Sequence, residues 1–309
     1  MKKILFFIES LSGGGAEKVL VDLVANLDKT KYDITVTSLV DIGVYKDLIK
    51  TVCNYRAILP QIEENASVLN KISYKLKYKL LHTLPPKIVY KWCFKEAYDT
   101  EIAFIEGFCT KIIAASNNVK STKIAWVHID LEANHWTQME YKTLQEEVQA
   151  YQNFNHIISV AESVQSAFSR QFGITENLLV KHNPVNKEAI LKKATEPLNI
   201  THSNSDFCFV TVGRLEHQKG YDRLLQIVDR LKNEGFKFKV WIVGEGSLRK
   251  NLEAYIEEKE LQDYVVLHGF QTNPYKFIKH ADAFVCSSRS EGFSTVVTEA
   301  LILGKPIIT

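Results

Sequence analysis

Apolar residues recur along the chain in two alternating rhythms. Short, nearly continuous runs at Ile4–Ile8, Ile34–Leu39, Ile102–Ile105, Ile124–Val127, Ile157–Val160 and Leu178–Val180 read as β-strands. Parallel strands covered by helices on both faces lose the in-out alternation of a half-exposed strand, and these runs have lost it. Between the first two, Val19, Leu20, Leu23, Val24 and Leu27 fall on one helical face. A repeating βα unit predicts an α/β, doubly wound sheet.

The rhythm breaks over residues 187–206, KEAILKKATEPLNITHSNSD, where Pro197 and the Asn/Ser clusters read as a linker. A second series follows, with strands at Phe207–Val212, Val240–Val243, Val265–Leu267, Ala283–Cys286 and Pro306–Thr309. The expected organisation is therefore an N-terminal Rossmann-like domain over 1–186, a linker over 187–206 and a second Rossmann-like domain over 207–309. Two such domains imply a cleft between them, with ligands at the carboxyl ends of the strands. The last run stops at Thr309 in mid-strand, so the second domain reads as incomplete.

Composition narrows the class. The 309 residues are 46% hydrophobic, with 38 Lys and Arg against 36 Asp and Glu, a net charge of +2. That balance argues against a general nucleic-acid binder. Cys53, Cys93, Cys109, Cys208 and Cys286 are scattered and form no Cys-x-x-Cys pair, the pattern of reduced thiols in a cytoplasmic protein. The start, MKKILFFIES, imitates a secretory signal, but Glu9 interrupts its apolar run. No stretch approaches the roughly 20 apolar residues of a spanning helix.

Three glycine-bearing loops raise the question of a phosphate cradle. Gly13-x-Gly15 requires a third small residue where Lys18 stands, and Gly244-x-Gly246 requires one where Arg249 stands, so neither is a dinucleotide fingerprint. Gly304-Lys305 is followed by Pro306, which excludes a Walker loop. No Asp-x-Asp pair offers to hold a metal-bridged diphosphate, and no metal or other cofactor is expected. In VGRLEHQKG, by contrast, Gly213 ends a strand, and Arg214 and Lys219 are cations just before a helix near Tyr221. Two cations beside a helix N-terminus make a diphosphate site that needs no metal; solvated surface charges are the alternative. In SRSEGFSTVVTEALILGKPI, Glu291 lies on a loop and Glu299 eight residues on within a helix, beside a face expected to bury Val296, Val297, Ala300 and Leu301. A carboxylate there is suited to two vicinal ribose hydroxyls, or else merely complements the helix dipole.

GRLEHQKG, VGEGSLR and above all SEGFSTVVTEALILGKPI closely resemble the retaining glycosyltransferases of family four, with a GT-B fold of two Rossmann-like domains facing a cleft. The resemblance implies that Arg214 and Lys219 hold the donor diphosphate, Glu291 the sugar hydroxyls and Glu299 the ribose. Backbone groups at Glu291, Gly292, Phe293 and Ser294 are expected to touch sugar or phosphate. Gly213 and Gly244 line the same site, and main-chain atoms near Phe270 are placed to read uracil. His128, at a strand end in IAWVHID, matches a histidine that the family often sets near the transferred sugar; a structural strand-end histidine is its alternative. The GGAEKVL form of the first loop resembles enzymes of bacterial capsule, exopolysaccharide or lipid-linked oligosaccharide synthesis, many of which use UDP-sugars. Gly13, Gly14 and Gly15 are then expected on the acceptor side.

Catalytic roles fall to His128, Arg214, Lys219 and Glu291. Double displacement would need a carboxylate on the β-face of the sugar, for which the sequence names no residue. The resemblance favours a front-face route in which the leaving diphosphate helps to deprotonate the acceptor hydroxyl. Other readings stay open: a nucleotide-sugar epimerase or phosphorylase on the same fold, shown by isomerisation without transfer in the first case, or a binding module that retains the donor without turnover. From Asn65 to Lys95 there are seven lysines and no acidic residue. Leu69, Ile72, Leu76 and Leu80 share a helical stripe with Lys71, Lys75 and Lys79 turned from it. This is either an anionic-membrane patch, peripheral at the inner face of the cytoplasmic membrane, or a packed helix with a solvated face.

Overall fold

The chain divides into two units, Met1–Pro184 and Val185–Thr309; the computed structural model describes residues 1–63, 65–198 and 207–309. The first unit runs β1 (Lys2–Ile8), α1 (Gly15–Asn26), β2 (Tyr32–Val40), α2 (Lys46–Val52), β3 (Asn54–Leu59), α3 (Val68–Thr83), α4 (Pro86–Cys93), β4 (Thr100–Ala103), α5 (Phe108–Ala114), β5 (Thr122–Val127), α6 (Leu144–Gln152), β6 (His156–Ser159), α7 (Glu162–Phe172) and β7 (Leu178–Val180). Its sheet has the order β3-β2-β1-β4-β5-β6-β7, and its strand pairs are parallel. Leu5, Phe6 and Phe7 of the central β1 are buried on both faces of the sheet, which is why their run carries no alternation. Because β2 and β3 extend one way from β1 while β4 to β7 extend the other, the winding reverses between β1 and β4. Loops diverge there and leave a crevice at the strand ends.

The second unit runs α8 (Lys187–Ala194), β8 (Phe207–Val212), α9 (Tyr221–Asn233), β9 (Phe238–Val243), α10 (Arg249–Glu258), β10 (Val265–Gly269), α11 (Tyr275–His280), β11 (Ala283–Val285), α12 (Thr295–Ile302) and β12 (Ile307–Ile308). Its parallel sheet has the order β10-β9-β8-β11-β12, with the reversal between β8 and β11. Apolar residues pack on both faces of it, with Val210, Trp241 and Phe284 in one cluster and Val240, Ile242 and Leu225 in the other.

Two expectations change. The first eight residues of the expected linker are α8, not coil. Asn186 caps the helix by accepting from the Ala189 amide at 3.0 Å, Ile190 and Ala194 are buried, and the Asn273 side chain donates to the Lys193 carbonyl at 2.8 Å. The helix thus belongs to the second unit. Only two of its apolar residues are buried, too few to give a readable face in the sequence. The rest of that stretch, 199–206, lies outside the described residues. Strand β3 was not expected, because its edge position leaves NYRAIL without a continuous apolar run.

Candidate functional site

The second unit gathers its distinctive residues at the carboxyl ends of four adjacent strands. Gly213 follows β8, Gly244 follows β9, Phe270 follows β10, and the loop to Glu291 follows β11. Across the reversal between β8 and β11, Lys219 Nζ stands 2.6 Å from Glu291 Oε1, an oxygen that also accepts from Ser288 Oγ at 2.6 Å. Both partners of the ion pair are only partly shielded. Opposed loops of one sheet therefore hold a cation and a carboxylate in register where such folds take ligands.

Five hydrogen bonds fix that register. The Gln218 side chain donates to the Ser290 carbonyl at 2.9 Å, and the Arg289 amide donates to the Gln218 carbonyl at 2.8 Å. The Arg289 guanidinium binds Asp222 in bidentate fashion, at 2.8 and 2.6 Å, and the His217 carbonyl at 2.8 Å. Hydrogen bonding from Arg289 pulls the Asp222 carboxyl down to about 2. These residues were missed from the sequence. Charged pairs 67 residues apart leave no local pattern, although the neighbourhood of both motifs marked the region.

The VGEGS loop has a supporting role that its glycines explain. A Cβ on Gly244, whose φ is +149°, would lie 1.9 Å from the Gly213 carbonyl oxygen, and one on Gly246 would lie 2.6 Å from the Leu215 backbone. The Leu215 amide donates to the Glu245 carbonyl at 2.9 Å, and Glu216 accepts from the Ser247 amide at 3.0 Å and hydroxyl at 2.7 Å. Close backbone approach locks the loop that carries Arg214 and Lys219. Arg214 itself is exposed.

Glu299 on α12 is 2% exposed, with Tyr275 Oη 3.4 Å from its Oε1, whereas Leu301, expected to be buried, is 59% exposed. The helix is rotated from the apolar face read in the sequence, and it turns a carboxylate inward. At its N-terminus, after Gly292 and Phe293, Ser294 is the N-cap, and its side chain makes no capping bond to the first turn. Ser294 Oγ is shielded and has no hydrogen-bond partner among the described residues.

In the first unit the glycine loop follows β1, and a buried polar cluster lies at the ends of the neighbouring β4 and β5. Gly13 has φ +104° and so requires glycine, whereas Gly14 is the extended N-cap of α1 and Gly15 its first residue. Glu106, just after β4, accepts from the amides of His128 and Ile129, the latter at 3.1 Å. His128 Nε2 lies 2.9 Å from the Phe104 carbonyl, which only accepts, so the proton sits on Nε2 and Nδ1 is left as an acceptor. Burial lowers this imidazole to about 4, and it is neutral at pH 7. It therefore offers a lone pair, not a cation. A separate cavity of about 450 Å³, lined by Gln61, Asn70, Ser73, Tyr74 and Lys77, lies at the end of the edge strand β3 and involves none of these residues.

Burial pushes Glu106 up from 4.5 to about 7, and burial together with Glu140 does the same to Glu9. The folded state thus keeps protons that the unfolded state has released, so stability falls as pH rises from about 4.5 to 7. His128 acts oppositely, costing stability as pH falls from 6.5 to about 4. Glu106→Gln keeps an acceptor for both amides. Relative to the parent it is expected to gain about 3 kcal/mol at pH 8 and well under 1 kcal/mol at pH 4.5, as read from denaturant midpoints. An equal change at both pH values would show that Glu106 is not the group responsible.

A chain of two doubly wound parallel sheets, with a cation–carboxylate pair across the reversal of the second, defines the class of Rossmann-like ligand binders. Residues 193–309 match the family described as Glycosyl transferases group 1. An uncharacterized glycosyltransferase of Methanocaldococcus jannaschii is 30% identical over 207 residues, covering 64% of this chain and 50% of that protein. The N-acetylgalactosamine-N,N'-diacetylbacillosaminyl-diphospho-undecaprenol 4-alpha-N-acetylgalactosaminyltransferase of Campylobacter jejuni is 26% identical, covering 97% of this chain and 78% of that protein. The crystal structure of Anabaena HepE in complex with UDP and glucose matches with a TM-score of 0.74 at 21% identity, over 99% of this chain and 80% of that one, and shows a shared GT-B fold. The second unit is thus similar, over residues 193–309, to glycosyl transferases group 1, and both sequence relatives are named as glycosyltransferases. This chain spans half the length of the first of these relatives and about four fifths of the other two.

Proposed function

We propose that the protein is a retaining glycosyltransferase that moves a hexosyl or N-acetylhexosaminyl group from a UDP-sugar to a saccharide or lipid-linked saccharide acceptor. The observation that carries this reading is the Lys219–Glu291 pair, 2.6 Å apart across the strand reversal of the unit that matches the family. The Campylobacter relative acts on a diphospho-undecaprenol-linked acceptor, and HepE binds UDP and glucose. Both facts favour this donor and acceptor class.

In this reading Arg214 and Lys219 bind the donor diphosphate without a metal, aided by the first-turn amides of α12 and by Ser294 Oγ. Glu291 accepts from sugar hydroxyls, and Glu299, oriented by Tyr275, accepts from the ribose. Main-chain atoms near Phe270 face the base. The bond between the anomeric carbon and the diphosphate oxygen breaks as the acceptor oxygen bonds that carbon from the same face, and the acceptor proton passes to the diphosphate. Positive charge at Arg214 and Lys219 stabilises the leaving group in both events. On the first unit, His128 Nδ1 accepts from a hydroxyl of the transferred sugar, and the loop of Gly13, Gly14 and Gly15 serves the acceptor.

The test is a panel of UDP-, GDP- and ADP-sugars, read by thermal shift and by nucleotide release. Saturation at about 100 times Kd adds about 2.7 kcal/mol to stability, enough to rank the donors. UDP-sugars are expected to stabilise most and to release UDP when an acceptor is supplied. Preference for another nucleotide would overturn the donor assignment. Binding with no turnover would favour a binding module.

A further inference from the structure

We propose that α3 docks the protein onto an anionic lipid bilayer, lying along its surface. The helix is anchored by apolar and aromatic packing at its C-terminal end. Leu81 is buried there, and the His82 ring stands 4.5 Å from that of Phe108 and 3.3 Å from Glu140. Its first two turns meet the segment after β3 through Asn70, Ser73 and Tyr74 and leave the opposite, apolar face uncovered. Leu69 is 77%, Ile72 57% and Leu76 56% exposed, and Val68 is exposed beside them. At 100° per residue these four occupy an arc of about 100°, an uncovered apolar ridge. This uncovered ridge favours the membrane patch over the packed-helix alternative read from the sequence.

Lysines flank that ridge. Lys75 falls at one edge of it, Lys79 continues its line one turn further on, and Lys77 lies well round the helix beyond the other edge, all exposed. Lys71 leaves the patch assigned to it from sequence, being half-buried and already engaged within the unit. The next helix repeats the pattern, with Ile88 and Trp92 exposed one turn apart beside Lys87 and Lys91. No acidic residue interrupts residues 65–95.

Charge and shape select the occupant. An apolar ridge edged by long cations matches a leaflet of anionic lipids, where the ridge enters the acyl boundary and the ammonium groups reach the headgroups. A second copy of this chain would oppose lysine to lysine. Among the described residues no helix is long and apolar enough to cross a membrane, so α3, 16 residues long, lies on the surface.

The experiment is flotation of the full chain with phosphatidylcholine vesicles, with and without phosphatidylglycerol. Binding is expected only with the anionic lipid and is expected to weaken with salt. Each lysine near such a surface contributes on the order of fivefold in affinity. The triple variant Lys75→Glu, Lys77→Glu, Lys79→Glu, and separately the pair Leu69→Ser, Ile72→Ser, are each expected to lose roughly tenfold or more. These side chains are exposed, so an unchanged melting curve verifies folding. No binding by the parent chain, equal binding to neutral vesicles, or binding unaffected by both variants would overturn the proposal. So would self-association of the parent that the Leu69→Ser, Ile72→Ser pair abolishes, since the ridge would then be a contact between copies. Vesicle binding does not depend on the glycosyltransfer reading, and either can fail alone.

Discussion

Replacing Lys219 by alanine is expected to lower sugar transfer by about 10²–10³-fold, the loss seen when one preorganised stabiliser of developing charge is removed. The fold is expected to survive. Lys219 and Glu291 are both partly exposed, so the abandoned carboxylate is rehydrated at little cost, as at other solvent-reachable ion pairs. Melting should therefore move by no more than a few degrees. Arg214→Ala is expected to act in the same direction. Stability and catalysis separate further in the double variant Lys219→Ala, Glu291→Gln, which removes the orphaned charge but leaves transfer as low as the single variant does. Near-normal turnover in Lys219→Ala would sink the assignment of this lysine to the donor diphosphate. A collapse of the melting transition would make the pair a structural bridge instead.

What was legible in the sequence follows from the range of each interaction. Buried parallel strands announce themselves by composition alone, so the runs around Leu5, Val36, Val210 and Val240 were readable, and with them the two doubly wound sheets. An edge strand such as Asn54–Leu59 lacks that signal, as does a helix such as Lys187–Ala194 that rests on two apolar side chains. The loop motifs fixed where Lys219 and Glu291 lie in the chain, but only the sheet order brings them together. The Asp222–Arg289 clamp is invisible because it joins the first turn of α9 to the loop after β11, on either side of the strand reversal. Periodicity likewise gave the stripe of α3 but not its direction. Whether Leu69 and Ile72 meet a sheet or solvent depends on how the helix is moored, and that is set by Leu81 and His82.

Gly220→Ala is expected to destabilise the protein by about 3 kcal/mol or more and to lower melting by roughly 10 °C. Two effects combine. Gly220 has φ +66°, a left-handed conformation that costs other residues about 1–2 kcal/mol. A Cβ there would also lie 2.2 Å from the Ser287 carbonyl oxygen, on a segment whose hydroxyl donates to the Lys219 carbonyl at 2.8 Å. The loops after β8 and β11 touch at this point, so relieving the clash must move Lys219 away from Glu291. Gly235 provides the control. Its φ is +84°, yet a Cβ would meet nothing within 4 Å. Gly235→Ala therefore carries the backbone strain alone, about 1 kcal/mol, and is expected to leave donor affinity unchanged. The difference between the two variants isolates the close approach. Equal losses of stability, or unaltered donor binding in Gly220→Ala, would mean that contact between the two loops does not position the pair.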